Sequence, residues 1–266
     1  KKAQDLKKKI EEKKQFLIHN MEEQKMYTLE KYNQLSEKEK SIHDKAFTTN
    51  KNHPDYHKLI THKYKDGNIE REVLIPKADI LHQFREDTNT GELPTVSWIV
   101  APENFSDHPG AAWYGAWYIS EVMDILTKNP EVWKKTIFIL AYDENDGYFD
   151  HVPPFTVPNL HKEASGKTSE GIDSSVEYVT KTQQSSAIDD ARDSPIGLGF
   201  RVPLVIASPW SRGGFVCSQI FDHTSTLQFL EHFLNNKFGK EIKETNISQW
   251  RRVVCGNLTT TFQPYN

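Results

Sequence analysis

The sequence has only two cysteines among its 266 residues, and it has no long apolar run. Cys217 and Cys255 are too few for a disulfide framework, and their spacing is not that of a zinc pair. They are read either as two buried thiols or as one disulfide formed in an oxidising compartment. The longest apolar stretches, such as TIFILAY at 136–142, have the length of a strand, whereas a membrane-spanning helix needs roughly 20 residues. A disulfide scaffold and a helical membrane span are therefore excluded.

A strong charge of one sign is also absent. Lys and Arg number 33 against 37 Asp and Glu, which gives a net charge of −4 and predicts no nucleic-acid partner. Aromatic residues make up 11% of the chain and indicate a folded protein. The charged start, KKAQDLKKKIEEKK, lacks the apolar centre of a secretory signal, so no export signal is visible in this chain. Removal of such a signal and its position upstream both stay open.

Residues 1–47 have the pattern of a helical segment packed on, or leading into, a larger domain. A second helix is predicted to start at Ser36, because Glu39 lies three residues further on, as a capping box requires. Dense Lys and Glu separate the apolar positions, which indicates a solvated helix. Those apolar positions recur at spacings of four and seven: Leu6, Ile10, Leu17 and Met21.

Residues 48–266 alternate short apolar runs with amphipathic stretches. This pattern predicts an α/β domain with a mostly parallel sheet flanked by helices. Within it, residues 155–195 are rich in Ser, Thr, Asp and Lys and predict a long polar loop, functional or disordered. The predicted strands are 95–101, 136–142 and 202–208, and the predicted helices are 113–129 and 225–238.

Polar clusters follow each predicted strand at its carboxyl end. Because the carboxyl ends of parallel strands meet at one edge of a sheet, we expect the three clusters to converge. After the first strand come Glu103, Asp107 and His108; after the second, Asp143, Glu144, Asn145 and Asp146; after the third, PWSRGG and then Asp222 and His223.

The second cluster raises a question of charge. Adjacent carboxylates resist ionisation unless a cation or hydrogen-bond donors compensate them. Carboxylates with imidazoles suit a divalent metal, although a glycosidase-like acid/base pair also fits the spacing. An EF-hand is excluded, because the sixth residue from Asp143 is Tyr148 where that loop needs Gly. Asp222, His223 and Thr224 also fit the ordinary role of a helix cap.

Six co-linear motifs resemble the carboxyl-terminal part of the catalytic domain of bacterial phosphocholine-preferring, non-haemolytic phospholipases C. Those enzymes belong to a phosphoesterase family that includes acid phosphatases and is similar to alkaline phosphatase in fold. The resemblance runs from about residue 36 to the end of the chain. The motifs are LPTVSWIVAPENFSDHP, YGAWYISEVMDILTKNPEVW, YDENDGYFDHVPP, GLGFRVPLVIASPWSRGG, FDHTSTLQFLE and NISQWRRVVCGNLTTTF.

The resemblance implies a metal-dependent hydrolysis of phosphodiesters. It implies that Asp143 and Glu144 bind a divalent metal ion and that Glu103, His108 and His223 act around the phosphate. The implied substrate is a phosphocholine-containing lipid, met transiently at a membrane surface and cleaved to diacylglycerol and phosphocholine. The implied parent protein is bacterial and periplasmic or secreted.

The family's early metal-ligand motif and its Ser or Thr nucleophile are not recognisable here. We therefore expect a fragment that is inactive alone and needs the N-terminal remainder of its parent protein. The local candidates for a relocated nucleophile are Ser106, Ser208, Thr224 and Ser225, and Thr224 is the best of them. Two alternatives stay open: an acid-phosphatase-like phosphomonoesterase of the same family, and a non-catalytic lobe that binds a headgroup or cation.

Overall fold

The computed structural model describes residues 2–46, 54–55, 58–108, 110, 112–159, 165–184 and 191–264. The chain divides into two compact units, Lys1–Trp98 and Ile99–Asn266. Across the described ranges, no helix combines the length and apolar character needed to cross a membrane. The sequence-based division at residue 47 stays a prediction.

The first unit begins with three helices, α1 (Lys2–Met26), α2 (Leu29–Gln34) and α3 (Glu37–Lys45). The predicted capping box is confirmed: Ser36 Oγ accepts from the Glu39 backbone N–H at 3.3 Å, and Glu39 Oε2 accepts from the Ser36 N–H at 2.9 Å. The predicted apolar positions of α1 are about half exposed or more, so α1 is a solvated helix.

A β-hairpin and a fourth helix follow among the described residues of the first unit. Strands β1 (Leu59–Asp66) and β2 (Ile69–Pro76) pair antiparallel, and helix α4 spans His82–Thr90. The turn between the strands starts at Gly67, whose φ of 62° is open to glycine without strain. The two-residue Gly67-Asn68 loop between two extended runs is a hairpin signal that the sequence analysis missed.

The described residues of the second unit form four α-helices, α5 (Ala112–Thr127), α6 (Pro130–Trp133), α7 (His223–Phe238) and α8 (Gln249–Val254). The predicted helices at 113–129 and 225–238 are thus confirmed as α5 and α7. Helix α8 was not predicted.

Helix α5 anchors the polar segment that precedes it. Phe105 is buried, and its ring centroid lies 5.8 Å from that of Tyr118. A Cβ at Gly115 would lie 3.1 Å from the carbonyl oxygen of Phe105, so glycine permits the close approach. The short 3-10 helix Glu103–Phe105 is thereby held against α5.

Two strand pairs occur in the part of the second unit that the structure describes. Strand β3 (Phe138–Ala141) pairs antiparallel with β6 (Leu204–Ala207), and β4 (Tyr178–Val179) pairs antiparallel with β5 (Ser194–Pro195). The unit mixes helices and strands, and the runs at 136–142 and 202–208 do form strands. The predicted parallel orientation is wrong for β3 and β6. A run of four apolar residues does not indicate the direction of its strand, and the long connection between β3 and β6 permits a parallel or an antiparallel pair.

Two further expectations change with this pairing. Residues 95–101 form no strand, since no other described segment pairs with them. In the antiparallel pair, Ala141 at the end of β3 lies opposite Leu204 at the start of β6. The residues that follow β6, 209–214, therefore leave from the opposite end of the pair, and the prediction that all three polar clusters share one edge is wrong for them.

The described parts of residues 155–195 hold four short elements: β4, β5 and the 3-10 helices Ser175–Glu177 and Lys181–Gln183. Val157, Glu177 and Tyr178 in this stretch are buried. The mobility of the stretch stays a prediction.

Both cysteines are free, which excludes the disulfide, and Cys217 is only partly buried. Cys255 is buried, and burial, followed by the charge of Asp222, raises the pKa of its thiol to about 12. This thiol is therefore a packing residue rather than a nucleophile.

Candidate functional site

The turn that follows β3 displays three carboxylates. Asp146 and Gly147 have φ values of 47° and 73°, and the N–H of Tyr148 donates to the carbonyl of Asn145 at 2.8 Å. Two successive positive φ values are the mark of a type I′ turn. Glu144 Oε2 accepts from the N–H of Asp146 at 2.7 Å, which ties the turn internally.

Asp107 lies against this turn. Partial desolvation, then the charge of Asp146, a hydrogen bond with Asp146 and the charge of Glu144 together raise the pKa of Asp107. The polar segment before α5 and the turn after β3 therefore meet, as predicted. We call Asp107, Asp143, Glu144 and Asp146 the acidic edge.

His223 reaches the same place from the start of α7. Its Nε2 lies 2.8 Å from the backbone carbonyl oxygen of Tyr142, the residue before Asp143. A carbonyl oxygen only accepts, so Nε2 carries the proton and, in the neutral ring, Nδ1 is left as an acceptor. The imidazole is exposed, so that acceptor is accessible to a ligand.

Glu103 and His108 lie on the segment that carries Asp107. Both side chains are exposed, and neither forms a hydrogen bond or ion pair with another residue that the structure describes. The structure thus gathers Asp143, Glu144 and His223 at the end of β3, with Glu103 and His108 on the neighbouring segment. The roles of all five stay predictions.

Each hydroxyl considered as a nucleophile takes part in local hydrogen bonds. Thr224 Oγ1 donates to Asp222 Oδ1 at 2.6 Å, and the fully buried Ser225 accepts from the N–H of Asp222 at 3.0 Å. Ser208 Oγ donates to Ser211 Oγ at 3.0 Å, and Ser106 Oγ donates to the Glu103 carbonyl at 3.2 Å. Asp222 therefore has the ordinary role of a helix cap described above, and the hydroxyl of Thr224 donates to that cap.

A buried ionic cluster lies behind His223. Arg251 donates from Nε and Nη2 to the two oxygens of Glu177 at 2.8 and 2.9 Å, and from Nη1 to Asp222 Oδ2 at 2.6 Å. Ser248 Oγ donates to Glu177 at 2.6 Å. We call these four residues the Arg251 cluster. Burial lowers the pKa of Arg251, but the hydrogen bonds and charges of Glu177 and Asp222 outweigh it and raise that pKa overall.

Our sequence reading missed this cluster. Arg251 lies 74 positions from Glu177 and 29 from Asp222. Sequence periodicity and capping signals act over a few residues only, so no local pattern indicates that these charges meet.

The acidic edge offers carboxylate oxygens, which are the ligands of hard divalent cations. Within the described residues, however, no group of three or more His, Cys, Asp or Glu side chains is arranged to hold a metal ion. The donor chemistry fits, whereas the number of donors is short of a complete ligand set. Binding of a metal by Asp143 and Glu144 stays a prediction.

Comparison with known proteins shows the family of the chain. A sequence model of the Phosphoesterase family matches residues 3–235. The chain belongs to this family. It is 47% identical over 184 residues to a non-hemolytic phospholipase C of Pseudomonas aeruginosa, a match that covers 68% of this chain. It is 46% identical over 185 residues to a non-hemolytic phospholipase C of Burkholderia pseudomallei and 42% identical over 204 residues to a hemolytic phospholipase C of Pseudomonas aeruginosa, covering 69% and 74% of this chain.

These relatives are much longer than the match. The chain spans 25% of the length of the first and 24% of the other two. What the relatives do as whole proteins therefore reaches this chain only as a proposal.

Proposed function

We propose that this chain is part of a phospholipase C-type phosphodiesterase that cleaves phosphatidylcholine-type lipids to diacylglycerol and phosphocholine. Membership of the Phosphoesterase family and the identities to proteins named phospholipase C support this proposal. The observation that carries it is the meeting of His223 and the acidic edge at the end of β3.

The side chains have distinct tasks in this proposal. Hydrolysis of a phosphodiester places negative charge on the phosphate oxygens and needs a proton for the leaving alkoxide. His223 or His108 donates a hydrogen bond to the phosphate or the proton to the leaving oxygen. Glu103 lies on the same segment as His108 and orients groups around the phosphate.

The carboxylates of the acidic edge need a cation before an anionic phosphate can approach them. Asp143 and Glu144 would hold a divalent metal ion, whose identity is open. When bound, such an ion stabilises charge on the phosphate oxygens and lowers the pKa of an attacking hydroxyl.

The chain by itself is proposed to be inactive. Transfer through a covalent intermediate needs a free hydroxyl in line with the leaving oxygen. The four candidate hydroxyls make the local hydrogen bonds described above. This same observation favours the second candidate, a lobe that binds a headgroup or cation without chemistry.

The proposal extends to the surroundings of the protein. A phosphocholine lipid substrate implies transient contact with a membrane surface and a periplasmic or secreted bacterial protein. The proposed inactivity of the chain alone implies that an N-terminal remainder of the parent protein supplies the nucleophile. We propose that this remainder also completes an alkaline-phosphatase-like, mostly parallel sheet. No nucleic acid is expected as a partner, given the net charge of −4.

Paired hydrolysis assays test the proposal. Phosphatidylcholine in mixed micelles and an aryl phosphate are given, with added divalent metals, to the 266-residue chain and to a longer protein that includes the upstream portion. We expect turnover of phosphatidylcholine by the longer protein only. Preference for the aryl phosphate would point to the phosphomonoesterase instead.

His223→Gln tests the site within the longer protein. Loss of a positioned acid lowers kcat by about 100-fold or more. The matched control is His232→Gln, which changes an exposed histidine of the same helix whose imidazole lies near Asn236. Equal activity in the two variants would contradict the role of His223. Robust turnover by the chain alone, abolished in Thr224→Ala, would contradict its inactivity.

A further inference from the structure

The start of α7 is held from two sides. Asp222 caps the helix through Oδ1, which accepts from the N–H of Thr224 at 2.9 Å. Its other oxygen, Oδ2, accepts from Arg251 Nη1 at 2.6 Å. The next residue is His223, whose ring donates to the Tyr142 carbonyl.

We infer that Arg251 is a positioning residue that holds the His223 imidazole against the end of β3. One planar guanidinium fixes the carboxylate of Asp222, and the backbone of Asp222 sets the direction in which the His223 side chain leaves the helix. The catalytic meaning of this inference rests on the proposed function, whereas the hydrogen bond from His223 to Tyr142 does not.

The guanidinium is itself fixed from several directions. Glu177 takes two of its N–H groups, and the carbonyl oxygen of Gly197 takes another at 3.0 Å. The side chains of Arg251, Glu177 and Asp222 are only 18%, 5% and 5% exposed. The hydrogen bonds to these partners hold the Arg251 guanidinium in one orientation. A lysine ammonium cannot make the same set of hydrogen bonds, because it lacks the planar donors of a guanidinium.

The neighbouring arginine supplies a matched control. Arg252 lies on the same helix and forms a bidentate pair with Glu231 of α7, both bonds at 2.8 Å. It has no hydrogen bond or ion pair to Asp222. Arg251→Lys and Arg252→Lys therefore both weaken the contact between α7 and α8, but only the first removes the fork that holds Asp222.

The test is ¹⁵N NMR of the histidine rings in the 266-residue chain, at alkaline pH where the rings are neutral. The resonances of His223 are assigned by their loss in His223→Gln. In the unmodified chain and in Arg252→Lys we expect the single tautomer that carries the proton on Nε2. In Arg251→Lys we expect a mixture of both tautomers, while the far-ultraviolet circular dichroism stays unchanged.

Asp222→Asn tests the same link without changing Arg251. An asparagine still caps α7 through its carbonyl oxygen, but its amide nitrogen cannot accept from Arg251. Asp222→Asn should show the same mixture of His223 tautomers as Arg251→Lys. If Arg251→Lys does not fold, Asp222→Asn alone tests whether the link from Arg251 through Asp222 positions His223. A single Nε2–H tautomer in folded Asp222→Asn would overturn the inference, as would identical spectra of the two lysine variants. Failure of the proposed function would appear separately, as normal hydrolysis in His223→Gln of the longer protein.

Discussion

Two regions of the second unit gather carboxylates, and they treat the charge in opposite ways. In the Arg251 cluster, the carboxylates of Glu177 and Asp222 are buried and share one guanidinium. In the acidic edge, the carboxylates of Asp107 and Asp143 are exposed, and no ion pair among the described residues includes a member of that edge. In the Arg251 cluster, a cation of the chain itself balances the carboxylates, and the cluster stabilises the fold. In the acidic edge, the carboxylates need a cation from outside the chain.

The largest loss of stability is expected when the Arg251 cluster is broken. Arg251→Met leaves two buried carboxylates without their cation, which costs about 3 kcal/mol of unfolding free energy. Urea denaturation of both proteins measures it. The control is Arg201→Met, which removes a pair with Asp150 in which the arginine is 63% exposed, and it should cost much less. Equal losses would show that burial does not separate the two kinds of pair.

The second prediction concerns the binding of a divalent cation at the acidic edge. Mn²⁺ should bind the chain weakly at the acidic edge, and Asp143→Ala should weaken that binding by at least about tenfold. Calorimetric titration measures both affinities. Asp150→Asn is the control, since that carboxylate is already bound to Arg201, and it should leave the affinity unchanged. Undiminished binding by Asp143→Ala would remove Asp143 from the site.

A smaller effect is expected at the rim of the Arg251 cluster. Ser248 caps α8 by accepting from the Arg251 N–H at 3.1 Å, and it donates to Glu177. Ser248→Ala should therefore lower the unfolding free energy by about 1 kcal/mol, measured by thermal or urea unfolding. Ser120→Ala is the control, because Ser120 donates only to a carbonyl of its own exposed helical turn. A loss as large as that of Arg251→Met would mean that the serine, and not the arginine, organises the cluster.

The smallest expected effect is a small gain in unfolding free energy when a carboxylate of the acidic edge is neutralised. Because the pKa of Asp107 is raised on folding, its ionised form is less favourable in the folded chain than in the unfolded chain. Asp107→Asn should therefore stabilise the chain in metal-free buffer. The gain should be absent below the ordinary pKa of 3.8, build up as the pH rises to the raised folded pKa, and stay constant above it.

Asp150→Asn should give the opposite sign. The hydrogen bonds from Arg201 lower the pKa of Asp150, so the ionised carboxylate stabilises the fold above its ordinary pKa of 3.8, and this contribution is lost as the pH falls through the lower folded pKa. Unfolding curves at a series of pH values check both variants. A stabilising Asp150→Asn, or a destabilising Asp107→Asn, would contradict the comparison between paired and unpaired carboxylates.

Part of the candidate site could be predicted from the sequence. The acidic residues after β3 stand out because they follow an apolar strand, and His223 stands out because it begins a helix after a polar cluster. Their meeting was predicted from strand ends that share an edge, yet β3 and β6 are antiparallel. The two come together because α7 starts beside the end of β3, with His223 bonded to the Tyr142 carbonyl. The prediction reached the right neighbours through a wrong strand orientation.

The sequence alone determined the features that depend on a few consecutive residues. The capping box of Ser36 and Glu39, the apolar runs that became β3 and β6, the helices α5 and α7 and the motifs of the phosphoesterase family are all of this kind. Helical period, cap geometry and strand length are local properties, so they can be read from the chain.

The direction of β6 against β3 and the partners of Arg251 could not be predicted from the sequence and are known from the folded chain. Both depend on which distant segments close on each other. An apolar strand carries no sign of its direction, and a charged side chain carries no sign of a partner 74 positions away. Packing of the whole unit, rather than any local preference, therefore selected the buried ion pairs and placed His223 beside the acidic edge.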